Sequence, residues 1–184
     1  MITWLLVGIA VVVVLWIIYA FNRLVTLRAR IDEAFSDIEV QLKRRYDLIP
    51  NVIETVKGYM AHERGVLENV TKARTQAMGA NTAAEHAQAE NALAGTLKTL
   101  FAVSENYPDL KANANFLDLQ RELADTENKI QSARRFYNGN VRDFNVTVGS
   151  FPSMIIAGAF GFKPREFFDL DDNSPAQEPV AVKF

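Results

Sequence analysis

The chain carries no charged side chain before Arg23, and residues 2–21 are apolar apart from the mild interruptions of Thr3 and Tyr19. At about 1.5 Å per residue this run makes about 30 Å of helix, the thickness of a bilayer's hydrocarbon core. A cleaved signal peptide needs a basic start, a shorter apolar stretch and a small-x-small cleavage site. This run is too long, and Trp16-Ile17-Ile18-Tyr19 offers no such site. Lipid acylation would require a cysteine, and the chain has 0 Cys. The reading that remains is an uncleaved single-pass anchor over residues 1–22. Trp4, Trp16 and Tyr19 lie near its ends, where interfacial aromatics are favoured. Lys and Arg are absent before the run, whereas Arg23, Arg28 and Arg30 follow it closely. The positive-inside rule therefore places Met1 outside and the rest of the chain in the cytoplasm.

Beyond the anchor the composition is that of helices: Ala, Leu, Glu, Gln, Lys and Arg dominate. A length of 184 residues leaves one domain outside the membrane as the simplest expectation. The net charge of −2 argues against a general nucleic-acid binder. Without Cys there is no disulfide, thiolate chemistry or Cys-ligated metal. The expected fold is all-α: a transmembrane helix, then an antiparallel up-and-down bundle of three to four long helices over residues 23–150.

Apolar residues recur three or four apart at Leu24, Leu27, Ile31, Ala34, Ile38, Leu42, Tyr46, Ile49, Ile53, Val56, Met60, Leu67 and Val70. This is one stripe on a long helix reaching to about residue 78. Pro50 lies inside it, removing the donor to the Tyr46 carbonyl and disfavouring helical geometry at Ile49. The apolar phase passes Pro50 without slipping, which favours a kinked continuous helix over a reversal. Thr82 and Glu85 have capping-box spacing and start a second helix, residues 82–106. Asn115 is placed to cap a third helix over 115–150. Its seam is regular: Phe116, Leu119, Leu123, Thr126, Ile130, Ala133, Tyr137, Val141, Phe144 and Val148. A 3–4 alternation of this kind implies near-antiparallel packing at about 20°.

The lengths conflict. A first helix over 23–78 would run about 85 Å, against about 37 Å and 54 Å for the other two. Either the chain reverses near Pro50, or the seam at Leu24, Leu27, Ile31, Ile38 and Leu42 lacks a partner within its own chain. In the second case a second copy is the simplest cover, so the kinked reading predicts a homo-oligomer assembled on this seam.

After Ser150 the character changes. Phe151-Pro152 breaks the helix, and Phe151, Phe160, Phe162, Phe167 and Phe168 account for five of the chain's 12 Phe. Residues 151–168, with Phe151, Ile155, Phe160, Phe162, Phe167 and Phe168 as their contact candidates, have three readings: an intramolecular cap on the bundle, a partner-docking surface, or a membrane-inserted segment. Against the last stands the expectation that the preceding helix points away from the bilayer. Residues 169–184 read as an acidic flexible tail. Its end, Val182-Lys183-Phe184, has the form that sheet-edge peptide binders accept, with Phe184 as the anchor.

Particular segments carry a family resemblance. Ser36-Asp37-Ile38-Glu39-Val40-Gln41-Leu42-Lys43-Arg44-Arg45-Tyr46-Asp47-Leu48-Ile49-Pro50-Asn51 resembles the signature of the LemA family. So do Glu54-Thr55-Val56-Lys57-Gly58-Tyr59, His62-Glu63, Tyr107-Pro108-Asp109-Leu110-Lys111-Ala112-Asn113 and Ala133-Arg134-Arg135-Phe136-Tyr137-Asn138. Phe35 stands where many relatives carry Trp. The resemblance covers residues 20–168 and implies a bacterial inner-membrane protein with an antiparallel helical bundle and a short outer N-terminus. It implies no reaction and no cofactor.

The residues agree with that silence. His62-Glu63 opens like the zinc motif H-E-x-x-H, but the second histidine position is Val66, and His86 is the only other His. Gly-x₄-Gly-Lys-Ser/Thr is absent, and no dinucleotide fingerprint stands at Gly158–161. No metal, cofactor or catalytic residue is expected. Lys43-Arg44-Arg45 lies too far along the helix to reach headgroups, and reads as a solvated face paired with Glu39, Asp47 or Glu127, with a binding patch for an acidic partner as the alternative. The functional expectation is a non-enzymatic, self-associating scaffold or adaptor with a membrane-protein partner. The alternative is a regulatory or substrate-presenting partner of a membrane enzyme such as a protease.

Overall fold

The computed structural model describes residues 1–60, 62–80 and 82–168. The expected tail over 169–184, Phe184 included, lies outside the described residues. About 84% of the described residues are helical, and none of them lies in a strand. The elements are α1 (Ile2–Lys57), α2 (Arg64–Met78), α3 (Ala83–Ser104), α4 (Pro108–Lys111), α5 (Ala114–Gly149) and α6 (Ser153–Ala159). They form two compact units. The first holds Met1–Arg45 and Glu122–Phe167; the second holds Tyr46–Arg121 and, of the described residues beyond, Phe168.

α1 passes through Pro50 as one helix, so the reversal considered there does not occur. It ends at Lys57, however, well short of residue 78. That shortens its part beyond the anchor to about 52 Å, matching about 54 Å for α5. The length conflict thereby disappears.

In the second unit α2 folds back along the end of α1. Ile53, Lys57, Met60, Arg64, Leu67 and Thr71 line one shared groove, and further along Arg74 Nε donates to the Tyr46 carbonyl at 2.7 Å. The stripe had run on through Met60, Leu67 and Val70 because both arms of this hairpin are amphipathic. The break lies between Lys57, where α1 ends, and Arg64, where α2 begins.

The bond to Tyr46 also explains how Pro50 is tolerated. A helical carbonyl accepts from the N–H four residues on, and Pro50 has none to give. Tyr46 is buried, so an unpaired carbonyl there would be costly. Arg74 supplies the missing donor from α2. The Tyr46 hydroxyl, in turn, donates to the buried Glu90 carboxylate on α3.

α2 and α3 pack against each other. Thr82 forms the capping box: the Glu85 N–H donates to Thr82 Oγ1 and the Thr82 N–H to Glu85 Oε2, each at 3.2 Å. At the start of α5 the capping residue is Asn113 rather than Asn115. Asn113 Oδ1 accepts from the Phe116 N–H at 3.0 Å, three residues on, while Asn113 Nδ2 donates to the Tyr59 hydroxyl at 3.2 Å. Only Asn113 has Phe116 at the third helical position, and Phe116 is buried beside the ring of Phe101. That burial sets the frame.

In the first unit α5 runs antiparallel to α1. Arg45 pairs with Glu127 at 3.1 Å, and the Phe35 ring meets Tyr137 with centroids 5.8 Å apart. Moving from 45 down to 35 on α1 is matched by moving from 127 up to 137 on α5. The same register carried to Gly149, where α5 ends, arrives at Arg23 on α1. Leu24, Ala34, Ile38 and Leu42 of α1, and Ile130, Val141 and Phe144 of α5, are buried between them. Each large apolar side chain so buried contributes about 1.5–3 kcal/mol.

Candidate functional site

The antiparallel register returns the chain to the exit of the apolar run. α5 therefore points toward the anchor, opposite to the direction expected from sequence. Past Gly149 the chain crosses a cis Phe151–Pro152 peptide bond into α6. α6 ends in a Schellman arrangement: the Phe162 N–H donates to the Ala157 carbonyl at 2.9 Å and the Gly161 N–H to that of Gly158 at 3.4 Å. Gly161 sits at φ +72°, the left-handed region that this motif requires and that glycine adopts freely. The motif places Phe160 and Phe162 on either side of one turn. Both rings meet Phe21, at centroid distances of 4.8 and 5.9 Å, and Phe162 also meets Phe144 at 6.4 Å.

Beyond Phe162 an extended strap is fastened by side chains. Asn145 Nδ2 donates to the Arg165 carbonyl at 2.9 Å, and the Arg165 N–H donates back to Asn145 Oδ1 at 2.8 Å. One asparagine thus serves both backbone groups, as a neighbouring strand would. The Tyr137 hydroxyl donates to the Glu166 carbonyl at 3.0 Å, and the Arg165 guanidinium pairs with Asp32 of α1 at 2.9 Å. Burial pushes the Tyr137 hydroxyl pKa above its ordinary value; Asp32 and Glu166 add to this and Arg165 opposes it.

The sequence candidates divide accordingly. Leu24, Ile31, Ile38 and Leu42 are buried within the single chain, and Leu27 is half-buried. The premise that this seam lacks a partner of its own is corrected: α1 is short enough for α5 to cover it. In the Phe-rich segment, Ile156 and Ala157 are buried, Phe162 is half-buried, and Phe168 is fully buried as part of the second unit. Phe151, Ile155, Phe160 and Phe167 face outward, at 79%, 59%, 57% and 49% exposure. The segment therefore caps with one side and presents the other. Of the basic triplet, Arg45 is buried against Glu127, while Lys43 and Arg44 are exposed.

Sequence reasoning passed over the roles of Tyr46, Arg74 and Glu90. The signal was present in Pro50, which announces an orphaned carbonyl at Tyr46 but not its donor. The groove between the end of α1 and the start of α2 was also missed. Its volume is about 560 Å³; Ile53, Met60 and Leu67 supply apolar walls, and Lys57, Arg64 and Lys72 supply three cations against the one carboxylate of Glu68. His62 lies exposed in the turn leading to α2, and His86 is buried on α3.

A profile described as the LemA family matches residues 34–184. Magnetosome protein MamQ 1 of Paramagnetospirillum magneticum is 22% identical over 174 residues, covering 80% of this chain and 64% of the relative. MamQ of Magnetospirillum gryphiswaldense matches to the same extent, 22% over 174 residues. Protein LemA of Metamycoplasma hominis is 26% identical over 140 residues, covering 74% of this chain and 63% of the relative. The chain thus spans less than two thirds of the length of these relatives. Among the described residues one helix, α1, is long and apolar enough to cross a membrane, and the chain is a membrane-associated helical protein.

Proposed function

This chain belongs to the LemA family, and from that premise we propose that it is a non-catalytic, membrane-anchored helical scaffold or adaptor of the bacterial inner membrane. Met1 lies outside, and the chain beyond the apolar run lies in the cytoplasm. What carries this reading is the continuity of α1. The apolar run passes without Gly, Pro or linker into the buried seam at Leu24, Ile31 and Ile38, so the anchor and the central helix are one element. A simple tether would place a flexible segment there. A helix without one fixes the height of every surface on it relative to the bilayer. Self-association forms a further part of the proposal, through the exposed apolar face of residues 2–19 rather than the seam.

The groove of the second unit favours the companion reading, a regulatory or substrate-presenting partner of a membrane enzyme such as a protease. Apolar walls with a net positive lining, Lys57, Arg64 and Lys72 against Glu68, suit an acidic, partly apolar segment of a partner. Mass measurement of the intact complex after extraction into native nanodiscs tests both readings. A distinct protein should accompany the chain and be lost from the variant carrying both Lys57→Glu and Lys72→Glu, with helicity unchanged. A chain that carries only lipid and one copy of itself would refute the scaffold and adaptor readings together.

A further inference from the structure

Residues 151–162 contain no charged side chain, and one face of α6 with its flanks is turned outward: Phe151, Met154, Ile155 and Phe160 are all exposed. Such a patch on the aqueous surface of a protein calls for a cover. Its place in the first unit supplies one. The Phe160 ring lies 4.8 Å from Phe21, the last residue of the apolar run. Burial along α1 begins lower still, with Trp16 and Ile17 half-buried and Ala20 at 4% exposure, whereas residues 1–15 are exposed throughout. From Phe21 to Trp16 is about 7 Å along a helix. That is the depth, about 5–10 Å, at which amphipathic interfacial segments sit at the boundary of headgroups and acyl chains.

We propose that α6 and its flanking phenylalanines form a membrane-embedded foot, in which Phe151, Met154, Ile155 and Phe160 insert into the cytoplasmic interface of the bilayer beside α1. The charges around the patch fit anionic headgroups. Arg23, Arg28 and Lys163 are exposed, and all lie on the aqueous side of Phe21 or of the foot. The foot gives a chain with one membrane helix a second point of attachment, which opposes rotation and tilting of α1. It also assigns a purpose to the Schellman turn at Gly161, which holds Phe160 against Phe21 while α6 lies outward. The inference rests on α1 spanning the bilayer, and its test separates the two.

The chain has 0 Cys, so single cysteines give unambiguous labels. An environment-sensitive fluorophore is attached at Phe151→Cys, Ile155→Cys, Phe136→Cys or Val12→Cys in the full chain. All four positions are exposed within the protein, so the label need not disturb packing. By the α1–α5 register, Phe136 lies level with residue 36, about 22 Å beyond Phe21. Each variant is reconstituted in phosphatidylcholine–phosphatidylglycerol vesicles carrying shallow or deep nitroxide lipids. Labels at 151 and 155 should be quenched several-fold more by shallow nitroxide lipid than the label at 136, and be protected from aqueous iodide. The label at 12 should respond to the deep nitroxide. If 12 responds but 151 and 155 are quenched by iodide as readily as 136, the foot is refuted and the anchor stands. Shielding of 151 and 155 from both quenchers would mean a protein cover, such as a second copy, and also refutes it. No lipid quenching at 12 would overturn the anchor and the foot together.

Discussion

Replacing Arg74 with Met should uncouple α2 from the proline-containing stretch of α1, and only while Pro50 is present. Pro50 leaves the buried Tyr46 carbonyl without its helical donor, and Arg74 Nε fills the vacancy at 2.7 Å. Losing the donor to a buried carbonyl costs about 1–3 kcal/mol. Arg74 is half-buried, so water reaches part of the gap, and about 1 kcal/mol is the working figure. Hydrogen exchange reads this directly: amides of residues 46–57 and 64–78 should open about fivefold more often in Arg74→Met, since about 1.4 kcal/mol is tenfold. Pro50→Ala restores the N–H to α1. In that background Arg74→Met should cost close to nothing, giving a coupling of about 1 kcal/mol in the double-mutant cycle. Pro50 is exposed, so its replacement creates no cavity, and relief of the proline penalty should make the single variant more protected. Equal cost of Arg74→Met in both backgrounds would refute the account, because Arg74 would then act through something other than the orphaned carbonyl.

Other consequences are as direct. The Tyr137 hydroxyl has a raised pKa in the folded chain, so it stabilises the strap below the ordinary tyrosine value, and this is lost as pH rises through the folded value. Protection of residues 163–167 should therefore fall in the alkaline range above about pH 10, and Tyr137→Phe should remove that pH dependence; a strap insensitive to pH in the native chain would contradict this. Ile31→Ala should destabilise the first unit by about 2–5 kcal/mol, seen by chemical denaturation of a detergent-solubilised single copy, because the cavity forms inside one chain. An effect confined to the oligomeric state would restore the intermolecular seam. Thr82→Ala should cost about 1 kcal/mol, with increased exchange limited to the first turn of α3. Glu127→Gln removes the carboxylate facing buried Arg45, and should cost about 1–2 kcal/mol with weak salt dependence, the guanidinium being shielded.

Much of the architecture is local in origin and was legible in the chain itself. The apolar run announces a helix long and apolar enough to cross a membrane. The repeat from Phe116 to Val148 marks α5 to within about a residue at each end, and Thr82 with Glu85 marks the start of α3, because period and capping depend on neighbours a turn away. The break after Lys57 was not legible, since a hairpin of two amphipathic helices keeps the apolar phase that one long helix would show. The sequence reading put the cap of α5 at Asn115, whereas the burial of Phe116 sets the frame that makes Asn113 the cap.

The sequence by itself determined that this is an all-α chain with a membrane-length helix, and where its long helices run. Only the tertiary structure decided what those helices face. The antiparallel register of α1 and α5 consumes the seam from Leu24 to Leu42 within one chain. It also brings Phe160 and Phe162 back to Phe21 at the end of the apolar run, while the α1–α2 hairpin puts Arg74 where Pro50 left a carbonyl without its helical donor. Each of these is a contact between residues far apart in the chain. Helical periodicity fixes which side of a helix is apolar, but carries no record of which partner will cover it.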